Sequence, residues 1–340
     1  MHGEFLPVER ALEGIGAIVD PVIEKYLVSE VNLAFTETLM YQIETRARRL
    51  EPMLVMLSAE AAGGKAEATS AAAAFELAHS ILLIIDDIVD KSELRRGAPS
   101  ARRKFGRATA ILIARKYREA IVRILNQSKH SQELENLVSK VLDDALEDEM
   151  LNASLERAAG DEPLFKSLMK KSVATNNYLR IIRAKTAVLF EGCCRAGAIA
   201  ADAPKQIEEA LASYGLNLGY LFQIRDDVLD IFGAEQEFGK KIGKDLMVHK
   251  ARNTVVLLAL QRLNEEKKEI LLERLAREST TQEEITDTMN MLRSAGLEEE
   301  SLAFASKYED AIEEALSKLP DSEAKSKLEA LPEILLGRRY

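Results

Sequence analysis

The sequence has no tryptophan, only two cysteines and few aromatic residues, which make up 5% of the chain. Cys193 and Cys194 are adjacent, a spacing that matches no zinc-site pattern, and two cysteines cannot form a disulfide framework. We therefore expect both thiols to be packing residues in a reducing cytoplasm. Strand-like alternation is also lacking, whereas Ala, Leu, Glu, Lys and Arg are abundant. This composition predicts an all-α fold.

The chain also lacks an excess of positive charge. Its formal net charge is −10, which argues against a nucleic-acid partner or a generally basic membrane-binding surface. An anionic ligand must therefore be met by local basic side chains and metal ions. The N-terminal stretch does not resemble a signal peptide, because it carries four acidic residues: Glu4, Glu9, Glu13 and Asp20. No run approaches the ~18 apolar residues of a transmembrane span, so we expect a soluble protein.

Apolar periodicity, broken by glycine and proline, divides the chain into predicted helices. They cover residues 8–30, with a kink or early-turn position at Pro21, then 32–62, 66–90, 108–126, 131–157, about 163–201, 205–232, and further helices between 253 and 332 that Pro320 and Pro332 punctuate. A helix face that packs closely against a neighbour is predicted by a group of small residues: Gly192, Ala196, Gly197 and Ala198.

Two stretches share the pattern Asp-Asp-x-x-Asp, each near the end of a predicted apolar helix. They comprise Asp86, Asp87 and Asp90 in the first, and Asp226, Asp227 and Asp230 in the second. On a helix, three carboxylates at this spacing fall within an arc of ~100°. Because like charges at such short range repel one another, the cluster suits cations, and Mg²⁺ prefers oxygen ligands. One copy is a weak signal, but the pair predicts two magnesium-binding faces.

Basic residues accompany both acidic motifs: Arg95, Lys185, Lys241 and Lys250. Three Mg²⁺ ions can bridge the oxygens of a diphosphate while these cations neutralise its remaining charge. The apolar helix walls that precede each motif can hold a hydrocarbon tail. A diphosphate joined to a hydrocarbon describes an allylic prenyl diphosphate, which is the ligand class that we predict.

Five stretches carry a resemblance to a known family: HSILLIIDDIVDKSELRRG from His79, KTAVLF from Lys185, FQIRDDVLDIFG from Phe222, GKKIGKD from Gly239 and HKARNT from His249. With them, the chain resembles the trans-isoprenyl diphosphate synthases of the polyprenyl synthase family, and is geranylgeranyl diphosphate synthase-like. The resemblance extends over essentially the whole chain. It implies a single domain over residues 1–340, an isoprenoid-synthase-type helical bundle around a central cavity, and a homodimer.

The resemblance also implies a role for each candidate site residue. Mg²⁺ is bound by Asp86, Asp90 and Asp226, with support from Asp87, Asp227, Asp230 and Asp245. The allylic diphosphate is held by Arg95, Lys185, Lys241 and Lys250. Isopentenyl diphosphate meets Arg48, His79 and Arg96. The developing allylic cation is faced by Thr186 and Gln223.

The family pattern is altered around Glu51. Members usually carry GGKRxRP where this chain has residues 46–52, and Glu51 stands where a diphosphate-binding arginine is expected. A carboxylate at this position repels a diphosphate. Taken alone, His79 on an apolar helix is more often a hydrogen-bonded core histidine, but its place seven residues before Asp86 puts it on nearly the same helix face, which favours a ligand role.

The implied reaction joins isopentenyl diphosphate to an allylic prenyl diphosphate, and we predict an all-trans product of C20 to C25 that is passed to a membrane. A helix rises ~5.4 Å per turn, close to one isoprene unit. In the family, the residue at Ile81 often sets the floor of the cavity, and Phe75, about three turns below Asp86, is the deeper stop. Two alternatives stay open: a weakly active or regulatory subunit of a heteromeric synthase, and, ranked last, a terpene cyclase.

Overall fold

A computed structural model describes residues 5–29, 31–45, 49–64, 68–158, 161, 163–167, 183–233, 253–277 and 280–336. The helices within these ranges are α1 (Phe5–Val28), α2 (Thr36–Glu44), α3 (Leu50–Ala61), α4 (Ala68–Val89), α5 (Ala101–Phe105), α6 (Arg107–Leu125), α7 (Ser131–Arg157), α8 (Val188–Ala200), α9 (Lys205–Phe232), α10 (Thr254–Arg262), α11 (Glu265–Ala276), α12 (Gln282–Ser294), α13 (Leu297–Ser317) and α14 (Glu323–Leu336). Leu33–Phe35 forms a 3₁₀ turn and Arg183–Ala187 a π-helical turn. The predicted all-α fold is confirmed.

The chain divides into two compact units. The first comprises Met1–Leu146, Val188–Leu216 and Ile312–Leu331, and the second comprises Glu147–Ala187, Asn217–Ala311 and Pro332–Tyr340. The single domain over 1–340 stays a prediction.

Helix α4 is the central element of the first unit. It packs against α1, α3, α6 and α8, and its residues 71–78 are all buried. Among the described residues, α4 is long and apolar enough to cross a membrane by length and composition, which corrects the expectation that no segment reaches this threshold. However, 67% of its most apolar window is buried inside the protein, as expected for a core helix. This helix delivers the first acidic motif from the core to its edge.

Helices α3 and α8 approach closely, as the small residues predicted. A Cβ atom on Gly197 would overlap the carbonyl oxygen of Val55 and lie 2.8 Å from the Cβ of Ser58. The backbones of the two helices therefore touch with no side chain between them. Cys193 and Cys194 of α8 are free and fully buried, which confirms their packing role. Burial raises the pKa of both thiols, that of Cys194 to about 12.

The second unit has its own apolar core. It is built from residues of α9 to α12, with Phe165 and Leu297 beside them. Val228, Ile231 and Phe232 contribute the α9 face of this core. The second acidic motif thus lies on a helix whose opposite face is anchored by apolar packing.

The predicted helix over 32–62 is wrong in its middle. The structure ends α2 at Glu44 and begins α3 at Leu50, and Arg49 adopts a left-handed conformation with φ of 55°. The Thr45 hydroxyl donates to the Tyr41 carbonyl at 2.5 Å, a local hydrogen bond that competes with helix continuation. The break allows the Arg49 side chain to reach partners on other helices.

Pro332 does not end a helix, contrary to the prediction, because it lies inside α14. A proline has no N–H to donate to the carbonyl four residues earlier, which is that of Leu328. The Tyr214 hydroxyl donates to this carbonyl at 2.8 Å instead. A tertiary hydrogen bond therefore compensates for the lost helical one.

A hairpin that the sequence reading missed follows α4. Strand β1 (Leu94–Arg95) pairs antiparallel with β2 (Ala98–Pro99). The turn between them has φ of 53° at Arg96 and 79° at Gly97, the conformation of a two-residue hairpin turn that favours glycine. The predicted turn at Gly97 is confirmed, and the hairpin presents Arg95 and Arg96 on successive positions.

Candidate functional site

The first acidic motif is tied to the hairpin by Arg95. Its Nη2 donates to Asp86 Oδ2 at 2.6 Å and to Asp87 Oδ1 at 2.7 Å, and its Nε donates to Asp87 Oδ1 at 3.0 Å. Burial opposes the charge of Arg95, but the two carboxylates together outweigh it and raise its pKa. Arg95 is therefore a fixed cation at the edge of the motif, and its binding of the allylic diphosphate stays a prediction.

The three carboxylates of this motif differ in environment. Asp87 is fully buried, and its Oδ2 has no hydrogen-bond partner. Burial raises the pKa of Asp87, against the lowering effect of Arg95. Asp86 and Asp90 are half-buried and so remain accessible from solution. Among the described residues, the oxygens of these three carboxylates do not form a three-ligand cluster, so the predicted Mg²⁺ site at this motif stays a prediction.

Charged side chains surround His79, which lies about two turns before Asp86 on nearly the same face of α4. His79 Nδ1 lies 3.3 Å from Glu51 Oε1, and its Nε2 lies 3.4 Å from Arg96 Nη2. Burial lowers the pKa of His79 to about 4 and also lowers that of Arg96. Burial raises the pKa of Glu51, although the charges of Arg96 and Arg49 oppose this. The structure thus brings His79 and Arg96 together, with Glu51 of α3 next to His79.

Arg49 is engaged in a second set of contacts in the same unit. It donates to Asp20 Oδ1 at 2.7 Å, to Glu76 Oε1 at 2.9 Å and to the Ile43 carbonyl at 3.0 Å. Glu76 is buried, and burial raises its pKa. Sequence reasoning missed this network, because its members are up to 56 positions apart. Arg49 acts as a structural cation that joins α1, α3 and α4.

The second acidic motif lies on α9 in the second unit. One carboxylate oxygen from each of Asp226, Asp227 and Asp230 can lie within 4.8 Å of the others. Asp227 is fully buried, whereas Asp226 and Asp230 are half-buried. The convergence that helical spacing predicted is thus present in this unit, and a carboxylate set of this kind fits Mg²⁺.

Asp227 is held by hydrogen bonds within the protein. Its Oδ1 accepts from Gln223 Nε2 at 2.8 Å, and its Oδ2 accepts from the backbone N–H and the hydroxyl of Thr254, both at 2.7 Å. Asn253 Nδ2 donates to the Asp227 carbonyl at 3.2 Å and also caps α10 through its side chain. Sequence reasoning missed Asn253 and Thr254 as supports, although the polar pair before an apolar run is a helix-start signal.

Thr186 joins this chain of hydrogen bonds. It lies in the π-helical turn that precedes α8, and its hydroxyl donates to Gln223 Oε1 at 2.6 Å. Turns of this type are frequent at functional sites. A Cβ on Gly219 would crowd Ala187, so the glycine permits the close approach of α9 to the turn. The structure brings Thr186 and Gln223 together, and their predicted role beside the allylic cation stays a prediction.

The two predicted floor residues both lie in α4. Phe75 is fully buried, and its ring edge is 2.9 Å from the position that a Cβ on Gly192 would occupy. Val141 of α7 also borders this position. Ile81 is buried about 1.7 turns further along α4. Phe75 therefore occupies the space that the missing side chain of Gly192 leaves.

Several predicted site residues fall outside the described part of the chain. These are Arg48, Lys241, Asp245 and Lys250, together with the side chain of Lys185. Their assignments stay predictions.

Comparison with known proteins places the chain among prenyl diphosphate synthases. Residues 33–292 match the family model described as polyprenyl synthetase. A geranylgeranyl diphosphate synthase of Saccharolobus solfataricus is 31% identical, with 86% of each chain covered. A geranylfarnesyl diphosphate synthase of Aeropyrum pernix is 30% identical, with 88% of this chain and 92% of the relative covered.

A solved structure agrees with these relatives. The polyprenyl synthase of Caulobacter crescentus, crystallised with calcium and isoprenyl diphosphate, superposes with a TM-score of 0.82 at 29% identity, over 99% of this chain and 98% of that one. Its all-helical architecture matches the helices described above. The chain therefore belongs to the polyprenyl synthetase family of trans-prenyltransferases.

Proposed function

We propose that the protein is a Mg²⁺-dependent prenyltransferase that condenses isopentenyl diphosphate with an allylic prenyl diphosphate to give an all-trans prenyl diphosphate of C20 to C25. The observation that carries the proposal is the second acidic motif, whose carboxylate oxygens converge while Asp227 orients Gln223 towards Thr186. The product range agrees with the names of the geranylgeranyl (C20) and geranylfarnesyl (C25) relatives.

Asp86, Asp90 and Asp226 are the proposed metal ligands, supported by Asp87, Asp227 and Asp230. When bound, three Mg²⁺ ions neutralise the diphosphate and so make it a better leaving group. Asp227 is buried and accepts hydrogen bonds from Gln223 and Thr254, which favours the supporting role for it.

The remaining steps use side chains of the protein. Arg95, Lys185, Lys241 and Lys250 hold the allylic diphosphate as its C–O bond ionises. The Thr186 hydroxyl is fixed on Gln223, and Gln223 is fixed on Asp227, so both oxygens are pre-oriented for the developing allylic cation. The alkene of isopentenyl diphosphate, bound at Arg48, His79 and Arg96, then attacks this cation. The departed diphosphate takes the proton, so no side-chain base is needed.

The decisive experiment is an incorporation assay on the purified single chain. We expect radiolabelled isopentenyl diphosphate to be incorporated into an acid-labile prenyl product when Mg²⁺ and an allylic primer are present, and not when the metal is chelated. Incorporation that appears only after a second, paralogous chain is added would instead support the regulatory-subunit alternative. That alternative is favoured by one observation, the carboxylate of Glu51 in contact with His79.

A homodimer in the cytoplasm, with delivery of the apolar product to a membrane, belongs to the same proposal. Helix α6 supports self-association, because it exposes the adjacent apolar side chains Ile111 and Leu112, which are 51% and 65% exposed. Two exposed apolar groups on one helix fit a surface that another chain covers. Light scattering on the purified protein tests this state directly.

Product length is expected to depend on Phe75. Phe75→Ala removes a buried ring that fills the space beside Gly192, and the vacated volume should admit at least one more isoprene unit, since a helical turn of ~5.4 Å is close to one such unit. Ile81→Phe should shorten the product. Chromatography of dephosphorylated products measures both shifts.

The matched control for this experiment is Leu292→Ala, which truncates a fully buried residue in the core of the second unit. It should lower stability by roughly 2–5 kcal/mol without a change in product length. An unaltered product distribution in both Phe75→Ala and Ile81→Phe would assign the floor to another element.

A further inference from the structure

His79 lies between two charged groups that come from different elements of the first unit. Glu51 belongs to the first turn of α3, and its Oε1 is 3.3 Å from His79 Nδ1. Arg96 belongs to the hairpin turn, and its Nη2 is 3.4 Å from His79 Nε2. Each ring nitrogen therefore has one neighbour, and the two neighbours have opposite charge.

The chemistry of these neighbours determines where the proton of His79 lies. A guanidinium group can only donate hydrogen bonds, so Nε2 must present its lone pair to Arg96. A carboxylate can only accept, so the ring proton belongs on Nδ1, which faces Glu51. Burial lowers the pKa of His79 to about 4, which keeps the ring neutral near pH 7. The groups whose charges face it are Glu51, Glu76, Asp86, Arg95 and Arg96.

This tautomer leaves the ring without a free donor. Nδ1–H is directed at Glu51 and Nε2 is an acceptor for Arg96. A neutral His79 in this form cannot donate a hydrogen bond to a diphosphate oxygen, whereas Arg96 retains further N–H groups that can. Glu51 also sits next to His79 instead of the arginine that the family pattern places there, so the chain has exchanged a cation for a carboxylate at this point.

We propose that Glu51 is a positioning residue that holds His79 as the neutral Nδ1–H tautomer, so that His79 supports the Arg96 guanidinium instead of binding the diphosphate itself. This inference rests on the proposed function only in taking isopentenyl diphosphate as the ligand of Arg96. It changes the role of His79 from that of an anion ligand to that of a support. It also explains why a synthase can carry Glu51, although a carboxylate that faces the diphosphate substrate would repel it.

The test combines a spectroscopic measurement with kinetics. In ¹⁵N-labelled full-length protein, two-bond ¹H–¹⁵N spectra distinguish the two tautomers, and His79→Gln identifies the signal among the four histidines. We expect a protonated Nδ1 and an unprotonated Nε2 for His79, with no titration between pH 5 and 8. In Glu51→Leu, the Nε2–H form should become populated beside Nδ1–H, because the carboxylate that holds the ring proton on Nδ1 is gone while Arg96 still faces Nε2.

The kinetic arm measures KM for isopentenyl diphosphate and kcat separately. Glu51→Leu should raise this KM about tenfold, the scale of one lost charge-assisted contact, and should change kcat little. Glu51→Gln keeps an acceptor oxygen for Nδ1–H and should restore both the tautomer and the KM. Because this variant preserves the shape of the site, it provides an answer even if Glu51→Leu does not fold.

Two results would overturn the inference: an Nε2–H tautomer in the wild-type protein, or an unchanged tautomer in Glu51→Leu. Equal KM values for wild type, Glu51→Gln and a folded Glu51→Leu would also overturn it. The spectra are recorded without substrate, so they test the tautomer of His79 independently of the proposed function. If only the proposed function fails, the wild-type protein shows the Nδ1–H tautomer but incorporates no isopentenyl diphosphate.

Discussion

Replacement of Asp86 or Asp226 by alanine is expected to lower kcat at least ~10²-fold, the scale of comparable single deletions of transition-state stabilisation. Each substitution removes a proposed Mg²⁺ ligand, and the charge that this ligand helps to neutralise grows as the diphosphate departs. Asp86→Ala also frees Arg95 Nη2 from its 2.6 Å contact, so its effect should extend to the allylic diphosphate site. Initial rates at saturating substrate and a series of Mg²⁺ concentrations measure the loss.

Asp287→Ala is the matched control, because Asp287 is an exposed carboxylate on α12 outside the candidate site. Its kcat should equal that of the wild-type protein. Near-normal turnover in either Asp86→Ala or Asp226→Ala would contradict a mechanism that uses both motifs. Excess Mg²⁺ should restore little activity to these variants, since the loss lies in positioning as well as in affinity.

Gly197→Ala is expected to destabilise the first unit by about 3 kcal/mol or more, at the upper end of overpacking effects. The added methyl group would overlap the Val55 carbonyl oxygen and lie 2.9 Å from the Ala59 nitrogen. Both atoms belong to the α3 backbone, so no side-chain rotation can relieve the overlap. Helices α3 and α8 must separate, and the midpoint of thermal or urea unfolding measures the cost.

The same substitution at Gly14 provides the control. Gly14 lies in α1, and a Cβ there would meet no atom within 4 Å. Gly14→Ala should therefore stabilise the helix by roughly 0.5–1 kcal/mol, because alanine loses less backbone entropy than glycine. Equal midpoints for the two variants would show that the α3–α8 contact does not limit stability.

Local patterns in the sequence predicted most helices and both acidic motifs. The helices over 131–157 and 205–232 match α7 and α9 residue for residue, because their apolar periodicity and flanking breaks are local signals. The convergence of Asp226, Asp227 and Asp230 agrees with the helix spacing, although the same spacing in the first motif gives no such cluster among the described residues.

Long-range partners could not be predicted in the same way. Glu51 reads as a repulsive residue when its position is compared with the family pattern, yet its neighbours His79 and Arg96 lie 28 and 45 positions away. Likewise, the support of Asp227 by Thr254 spans 27 positions. A single sequence records neither pairing, since the chain brings these groups together only when its helices pack.

Tertiary contacts also overrode two local signals. A proline normally ends a helix, but Pro332 lies inside α14. The Tyr214 hydroxyl donates to the Leu328 carbonyl, which the proline leaves without a helical donor. Conversely, nothing local to Arg49 required a helix break. The break coincides with the contacts of Arg49 to Asp20 and Glu76. In a continuous helix, the Arg49 side chain would point away from these partners.

The burial of Cys193 and Cys194 gives the wild-type chain a built-in reporter of its own opening. Sulfhydryl reagents require a thiol that is both exposed and deprotonated. In the native state, both cysteines are fully buried, and burial raises the pKa of each thiol. Modification must therefore wait until the helices that cover α8, among them α3 and α9, open. Since the chain has no other cysteine, the rate of chemical labelling reads out this one opening event without any engineered probe.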